Sequence, residues 1–152
     1  MDIYICSDTH FGHANMVKWA LRPSDYNEKL WAGFDQIPDD AILIHCGDVT
    51  MGGDAMTHMK LQKYKFKKWL VRGNHDRHSI GWYVKNGWDF VADEIVIEMF
   101  ANKFLFTHVP KPKRSGKKKP SDSKFKLSWK GSTAPDTTFE LQHSADGGDT
   151  WT

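Results

Sequence analysis

The sequence is poor in cysteine and in long apolar runs, and each shortage excludes a class of protein. Its two cysteines, Cys6 and Cys46, are too few for a disulfide framework in a chain of 152 residues, so both are expected to be buried free thiols. No apolar run approaches about 18 residues and no basic-then-apolar leader is present, so neither a membrane span nor a signal peptide is expected. A chain of this length can bury one sizeable core, so these features predict a cytoplasmic protein with one main domain and no membrane contact; its net charge is +2.

What the sequence does contain is a series of polar motifs, each placed directly after an apolar run. In chain order they are Asp8-Thr9-His10, Gly47-Asp48, Gly73-Asn74-His75-Asp76 and Thr107-His108. Short runs of β-branched or aromatic residues that end at glycine or polar residues predict buried strands. Because ligands of α/β folds bind beyond the carboxyl ends of the strands, we expect the motifs to meet in one crevice. The glycines before Asp48 and Asn74 would let the backbone approach bound ions closely.

The residue types in these motifs predict a site for two metal ions. Asp, His and Asn offer hard oxygens and imidazole nitrogens, which suit Mn²⁺, Zn²⁺, Fe or Ni²⁺ better than Ca²⁺. A carboxylate between two cations can bridge them. Ions held roughly 3.5–4 Å apart lower the pKa of a shared water, and the resulting hydroxide can attack phosphorus without a protein nucleophile.

The apolar periodicity predicts an α/β domain in which strands alternate with helices. Helices are expected over about 13–21, 25–35, 54–65 and 76–86, and strands over 3–7, 41–46, 68–72, 94–100 and 103–108. The last two strands are expected to form a hairpin around Ala101-Asn102.

With these motifs in this order, the chain resembles the calcineurin-like metallophosphoesterases. The resemblance is strongest to small phage and bacterial members, which open with a sequence similar to the stretch from Ser7 to His13. It covers residues 1–110 and implies a sandwich of mixed sheets flanked by helices. It also implies a hydrolase that uses two divalent metal ions, such as manganese, to cleave a phosphomonoester or phosphodiester.

The resemblance assigns metal ligands residue by residue. Asp8 and His10 would hold the first ion, Asp48 would bridge the two, and Asn74 and His108 would hold the second.

The resemblance also implies residues that act on the phosphate group. His75 would contact the phosphate and Asp76 would orient it, with Asn74 close by. His13 can either reach the substrate or lie at the start of the first helix. Arg72 can either supply positive charge near the phosphate or form a structural salt bridge.

The family pattern continues with a Gly-His-x-His segment that this sequence lacks, so each metal would be short of one ligand. His143 is the only histidine beyond His108, and an isolated histidine is more typical of a surface than of a metal site. His45, inside an apolar strand, is expected to be structural. His58 and His78, in helical stretches, are expected at the surface.

Beyond Pro110 the composition changes. Residues 111–122 are rich in lysine, proline and glycine and predict a flexible basic linker, with an electrostatic contact to nucleic acid as the alternative. Residues 123–152 alternate apolar and polar residues and predict a β-rich tail that resembles part of a fibronectin type III-like module. Strands are expected over 125–129 and 137–142, and the stretch 144–151 fits either a hairpin turn or an Asp-box. About 30 residues cannot close a β-sandwich, so the tail is a fragment, packs on the first domain or pairs with another chain.

Two function classes stay open on the sequence. The first is a phosphoesterase acting on a phosphate ester such as a nucleotide or nucleic acid, as the preserved motifs indicate. The second is a catalytically impaired remnant that binds a nucleotide, nucleic acid or protein partner, as the missing Gly-His-x-His segment indicates. Oligomeric state is not determined by the sequence.

Overall fold

The computed structural model describes residues 2–51, 54–99, 102–109 and 142–144. Its elements in chain order are β1 (Ile3–Cys6), α1 (Met16–Trp19), α2 (Tyr26–Phe34), β2 (Ile42–His45), α3 (Asp54–Leu61), β3 (Lys67–Val71), α4 (Ile80–Lys85), β4 (Phe90–Ala92), β5 (Glu94–Met99), β6 (Asn102–Thr107) and β7 (Gln142–Ser144). The predicted linker, the predicted strand over 125–129 and most of the predicted tail lie outside the described residues. Among the described residues, none of the helices has the length and hydrophobicity of a membrane span.

The strands form two sheets, which confirms the predicted α/β fold. One sheet is parallel, in the order β1-β2-β3-β4, and the other is antiparallel, in the order β5-β6-β7. The predicted hairpin is present as β5 and β6, paired from Glu94 opposite Thr107 to Met99 opposite Asn102. All residues of β2 are buried because this strand lies between two apolar cores.

Alternation along β2 explains the two cores. Leu43 faces the core on the helical side, together with Phe34 and Leu70. Ile42 and Ile44 point the opposite way, into a core shared with Phe104 and other side chains of the antiparallel sheet. The parallel sheet is therefore covered by helices on one face and by the second sheet on the other.

Helices α1, α3 and α4 are several residues shorter than the periodicity predicts, and α3 ends at Leu61 rather than near residue 65. Helix α1 ends at Trp19 because Leu21 adopts a left-handed backbone conformation, with φ at 51°, shortly before Pro23. Helix α4 begins at Ile80 rather than near residue 76 because Ser79 caps it: the Ser79 side chain accepts a hydrogen bond from the backbone N–H of Trp82.

Two strands were not expected where they occur. β4 pairs in parallel with β3, and only Val91 of its three residues is buried. Three residues are too few to show the alternation of apolar and polar residues that predicts a strand. β7 pairs with β6 and includes Ser144, which was expected in a turn. These three tail residues therefore pack on the first domain as a third antiparallel strand.

Candidate metal centre

The predicted ligands converge at one edge of the parallel sheet. β1, β2 and β3 run parallel, so the loops that follow them, which carry Asp8, Asp48 and Asn74, emerge on the same side. His108 follows β6 of the second sheet and meets them there. Ligand atoms of Asp8, Asp48 and His108 all lie within 4.8 Å of one another, a group able to hold a metal ion.

Asp48 lies at the middle of this site. Its side chain is 5% exposed, and its Oδ2 atom lies 3.7 Å from Nε2 of His10, 3.6 Å from Nε2 of His108 and 3.9 Å from Nε2 of His75. One buried carboxylate oxygen thus faces three imidazole nitrogens that arrive from different loops. This oxygen is therefore placed to bind a cation, and the bridging role of Asp48 stays a prediction.

The hydrogen bonds of His108 determine which of its nitrogens is available. Its Nδ1 lies 2.8 Å from the backbone carbonyl of Cys46, which has no proton to give, so Nδ1 must be the donor. In the neutral ring Nε2 then carries a lone pair, and that lone pair points at Asn74 Oδ1, 3.0 Å away, and at Asp48 Oδ2. Three acceptors that face one another repel unless positive charge lies between them, so the donor set fits a bound cation.

The first carboxylate of the site is held in its ionised form. Burial raises the pKa of Asp8, but hydrogen bonds to His10 and Ser7 and the nearby His108 outweigh burial, so the pKa lies below its ordinary value. His10 Nε2 lies 3.6 Å from Asp8 Oδ1.

Asp8, His10 and Asp48 all have left-handed backbone conformations, with φ between 46° and 57°. Such conformations persist in non-glycine residues only where the surrounding structure holds them.

The two glycines allow close contact between the loops, and the approach of their backbone to bound ions stays a prediction. A Cβ on Gly73 would lie 2.6 Å from the backbone nitrogen of Asp48, and a Cβ on Gly47 would lie 2.6 Å from the nitrogen of Gly73. Gly47 also has a φ of 94°, which L side chains rarely adopt. Any side chain at either position would separate the loops that carry Asp48 and Asn74.

Asp76 joins the same two loops. Its buried carboxylate accepts hydrogen bonds from the backbone nitrogens of Asp48 at 2.7 Å, Val49 at 3.2 Å and Gly73 at 2.8 Å. Burial raises the pKa of Asp76 despite these three bonds. The contacts found for Asp76 are thus to the loop backbones, and its orientation of the phosphate contact His75 stays a prediction.

The predicted substrate contacts lie at different distances from the site. The His75 ring centroid is 5.6 Å from that of His10 and its side chain is 30% exposed, so it lines the open side. The His13 ring is 6.1 Å from His10, and its buried Nδ1 has no hydrogen-bond partner among the described residues. Arg72 donates from both Nε and Nη2 to Asp93 Oδ1, at 2.9 and 2.6 Å, which is the structural alternative for this residue.

The remaining histidines have structural surroundings. His45 is 1% exposed, accepts a hydrogen bond from Gly47 N and contacts Thr9 Oγ1 at 2.9 Å, in line with a structural role.

The prediction that His58 lies at the surface is wrong: it is 1% exposed and accepts a hydrogen bond from Trp88 Nε1 at 3.0 Å. An aromatic cluster under α3 buries it, and no local pattern reveals that. His78 is half-buried and its ring stacks on Trp82, with 3.9 Å between centroids.

The register of β7 places His143 away from the metal ligands. His143 pairs with Phe104 of β6, and Phe104 lies four residues before His108, which follows the end of that strand. At about 3.4 Å per residue, the two backbone positions are roughly 14 Å apart along the sheet. This register gives no support to His143 as a replacement for the missing histidines.

The two cysteines are free, as expected, and they are half-buried. Burial raises the pKa of Cys46 to about 12 and raises that of Cys6 as well. Burial therefore favours the neutral thiol at both positions.

Comparison with known proteins gives matches of three kinds. A profile of the calcineurin-like phosphoesterase family matches residues 1–148. An uncharacterised protein of Methanocaldococcus jannaschii is 28% identical over 115 residues, covering 71% of this chain and 58% of that protein. The crystal structure of a protein of unknown function from Aquifex aeolicus is similar with a TM-score of 0.61 and 25% identity, covering 71% of this chain and 60% of that one. The chain thus spans less than two thirds of either relative, and the comparisons do not support the fibronectin type III-like interpretation of the tail.

Proposed function

This chain belongs to the calcineurin-like phosphoesterase family, and from that premise we propose that it is a hydrolase that cleaves phosphate esters with two divalent metal ions. The family membership confirms the resemblance found in the motifs. The proposed ligands are those predicted from the sequence, namely Asp8, His10, Asp48, Asn74 and His108.

The observation that carries the proposal is the convergence of acceptor atoms on Asp48. His108 Nε2 lies 3.0 Å from Asn74 Oδ1 and 3.6 Å from Asp48 Oδ2, so in the neutral ring its lone pair faces two oxygen ligands. His10 Nε2 also approaches both Asp48 and Asp8 within 3.7 Å. A buried carboxylate approached by imidazoles from separate loops, with a second carboxylate nearby, supports the bridging role proposed for Asp48.

When bound, the ions would supply Lewis-acid stabilisation of the phosphate oxygens and activate a water for attack on phosphorus. The chain's own side chains then bind and orient the substrate. We propose that His75 contacts the phosphate, since its ring is partly exposed beside Asp48 and its backbone N–H is fixed by Asp48 Oδ1 at 2.9 Å. His13 lies further out and is proposed as a second contact. The substrate class is a phosphomonoester or phosphodiester.

Asp48→Asn tests the proposal directly, because the amide keeps the size of the side chain and can still accept from His75 N while removing the bridging charge. We expect hydrolysis of p-nitrophenyl phosphate and its bis ester to fall more than about 100-fold, since even changes behind the ligands cost about 10–100-fold. Asp39→Asn, which alters an exposed aspartate paired with Lys65, is the control and should retain activity. Activity that survives in Asp48→Asn would place the chemistry elsewhere.

A binding module without catalysis is the second candidate, and the register of β7 favours it because it pairs His143 with Phe104 rather than with a residue next to His108. Metal analysis of the purified chain separates the two. Two ions per chain support the hydrolase, whereas a chain that takes up no metal at millimolar Mn²⁺ supports the binding module.

A further inference from the structure

The loop that carries Asp8 and His10 has strained backbone and no regular structure of its own. Its N–H groups are held by the neighbouring loop: Asp8 N donates to Gly47 O at 2.9 Å and His10 N donates to Asp48 O at 3.0 Å. Two of its residues, Asp8 and His10, have left-handed φ angles. The backbone carbonyl oxygens of this loop also require hydrogen-bond donors, because unpaired buried carbonyls are rare in folded proteins.

Those partners come from the start of α2 and the residues before it. Arg22 donates from Nη2 to Asp8 O at 2.6 Å and from Nη1 to Thr9 O at 2.8 Å. The Tyr26 hydroxyl lies 2.9 Å from His10 O and 3.0 Å from His13 O, so its single proton is shared between two carbonyls. Tyr26 is 5% exposed, and the Arg22 guanidinium lies 5.3 Å above its ring.

We propose that Arg22 and Tyr26, here called the carbonyl clamp, are positioning residues for the first metal ion. The clamp binds the loop through main-chain oxygens, so it leaves the Asp8 carboxylate and His10 Nε2 available to a cation. It fixes their separation at 3.6 Å. This inference rests on the proposed metal site and adds to it residues that the motifs do not contain.

A direct role for Arg22 in binding phosphate does not fit its geometry. Both terminal nitrogens already donate to carbonyls, in the planar two-pronged manner that arginine provides and lysine does not. Freeing them for a substrate would release the Asp8 loop. The clamp therefore acts through Asp8 and His10 and not on the reacting atoms.

The test is isothermal titration calorimetry, in which Mn²⁺ alone is titrated into the full chain and its affinity is measured. Tyr26→Phe removes only the hydroxyl, and Arg22→Lys keeps the charge but loses the paired donors. We expect each variant to weaken one Mn²⁺ site about tenfold or more, since residues that orient metal ligands typically contribute 10–100-fold to affinity. Tyr64→Phe is the matched control, because it also removes one hydroxyl, here bonded to Asp35 at 2.7 Å, away from the ligand loop.

The outcomes separate the clamp from the proposed function. Mn²⁺ affinity that is unchanged in both Tyr26→Phe and Arg22→Lys, with a lower melting temperature, would show a purely structural role and overturn the clamp alone. An unaltered chain that binds no Mn²⁺ would overturn the metal site and the clamp together. Equal weakening in Tyr64→Phe would also overturn the clamp, because the effect would then be one of general stability.

Discussion

At the scale of single residues, His45 shows how burial supports the site without contributing a ligand. Burial lowers its pKa from the ordinary 6.5 to about 3, so the ring stays neutral in the folded chain. Gly47 N donates to Nδ1, so the neutral ring carries its proton on Nε2 and donates to Thr9 Oγ1, which donates in turn to Val49 O. One neutral imidazole thereby connects the loops that hold Asp8 and Asp48.

This neutrality makes stability depend on pH. Well above pH 6.5, His45 is neutral in both the folded and the unfolded chain, so it does not change the free energy of unfolding. Between pH 6.5 and 3 the unfolded chain binds a proton at His45 and the folded chain does not, so the free energy of unfolding falls as the pH falls. Between pH 7 and 5 the free energy of unfolding should therefore fall by about 2 kcal/mol on account of His45.

Urea denaturation of the unaltered chain and of His45→Asn at both pH values measures this contribution. The asparagine oxygen can still accept from Gly47 N, so the variant should fold, with lower stability at pH 7 and a smaller loss at pH 5. If both proteins lose the same stability between pH 7 and 5, His45 does not titrate as described.

At the scale of elements, β7 determines whether β6 is an edge strand. β6 pairs with β5 on one side and with Gln142–Ser144 on the other. Phe104 and Phe106 of β6 lie in the core shared by the two sheets. Without β7, the row of N–H and C=O groups on β6 would lie unpaired at the sheet edge, which favours association between chains.

Truncation tests the role of this strand. A chain ending after Pro110 keeps every proposed ligand but lacks β7, and we expect a lower melting temperature and aggregation that increases with concentration. A chain ending after Ser144 keeps β7 and serves as the control. Should the chain ending after Pro110 match the full chain in solubility and melting temperature, residues 111–152 act as a tether, as the predicted linker implies.

At the scale of the whole molecule, bound metal should stabilise the fold, because the ligands come from both sheets and are brought together only by folding. A ligand at 100 times its dissociation constant adds about 2.7 kcal/mol to the free energy of unfolding. Because each ion lacks one histidine of the family pattern, we expect weak sites that need Mn²⁺ well above the protein concentration.

Thermal unfolding with and without Mn²⁺ checks this expectation. The melting temperature should rise by several degrees in excess Mn²⁺, return after brief exposure to a chelator, and stay constant in Asp48→Asn. Two tight sites per chain in a calorimetric titration would contradict the expected weakness and would mean that a histidine from elsewhere, such as a neighbouring subunit, completes the ligand set.

The sequence by itself determined the strands that lead into the site and the chemistry of Asp8, Asp48 and His108. A run of apolar residues followed by a ligand is written within a few consecutive positions, so local pattern suffices to find it. The tertiary structure decided which groups surround those ligands. Arg22 reaches Asp8 across 14 positions and the Asp76 carboxylate reaches Asp48 across 28, while His58 is buried against Trp88, 30 positions away. The packing of helices and strands determines these contacts, and the spacing of residues along the chain does not predict them.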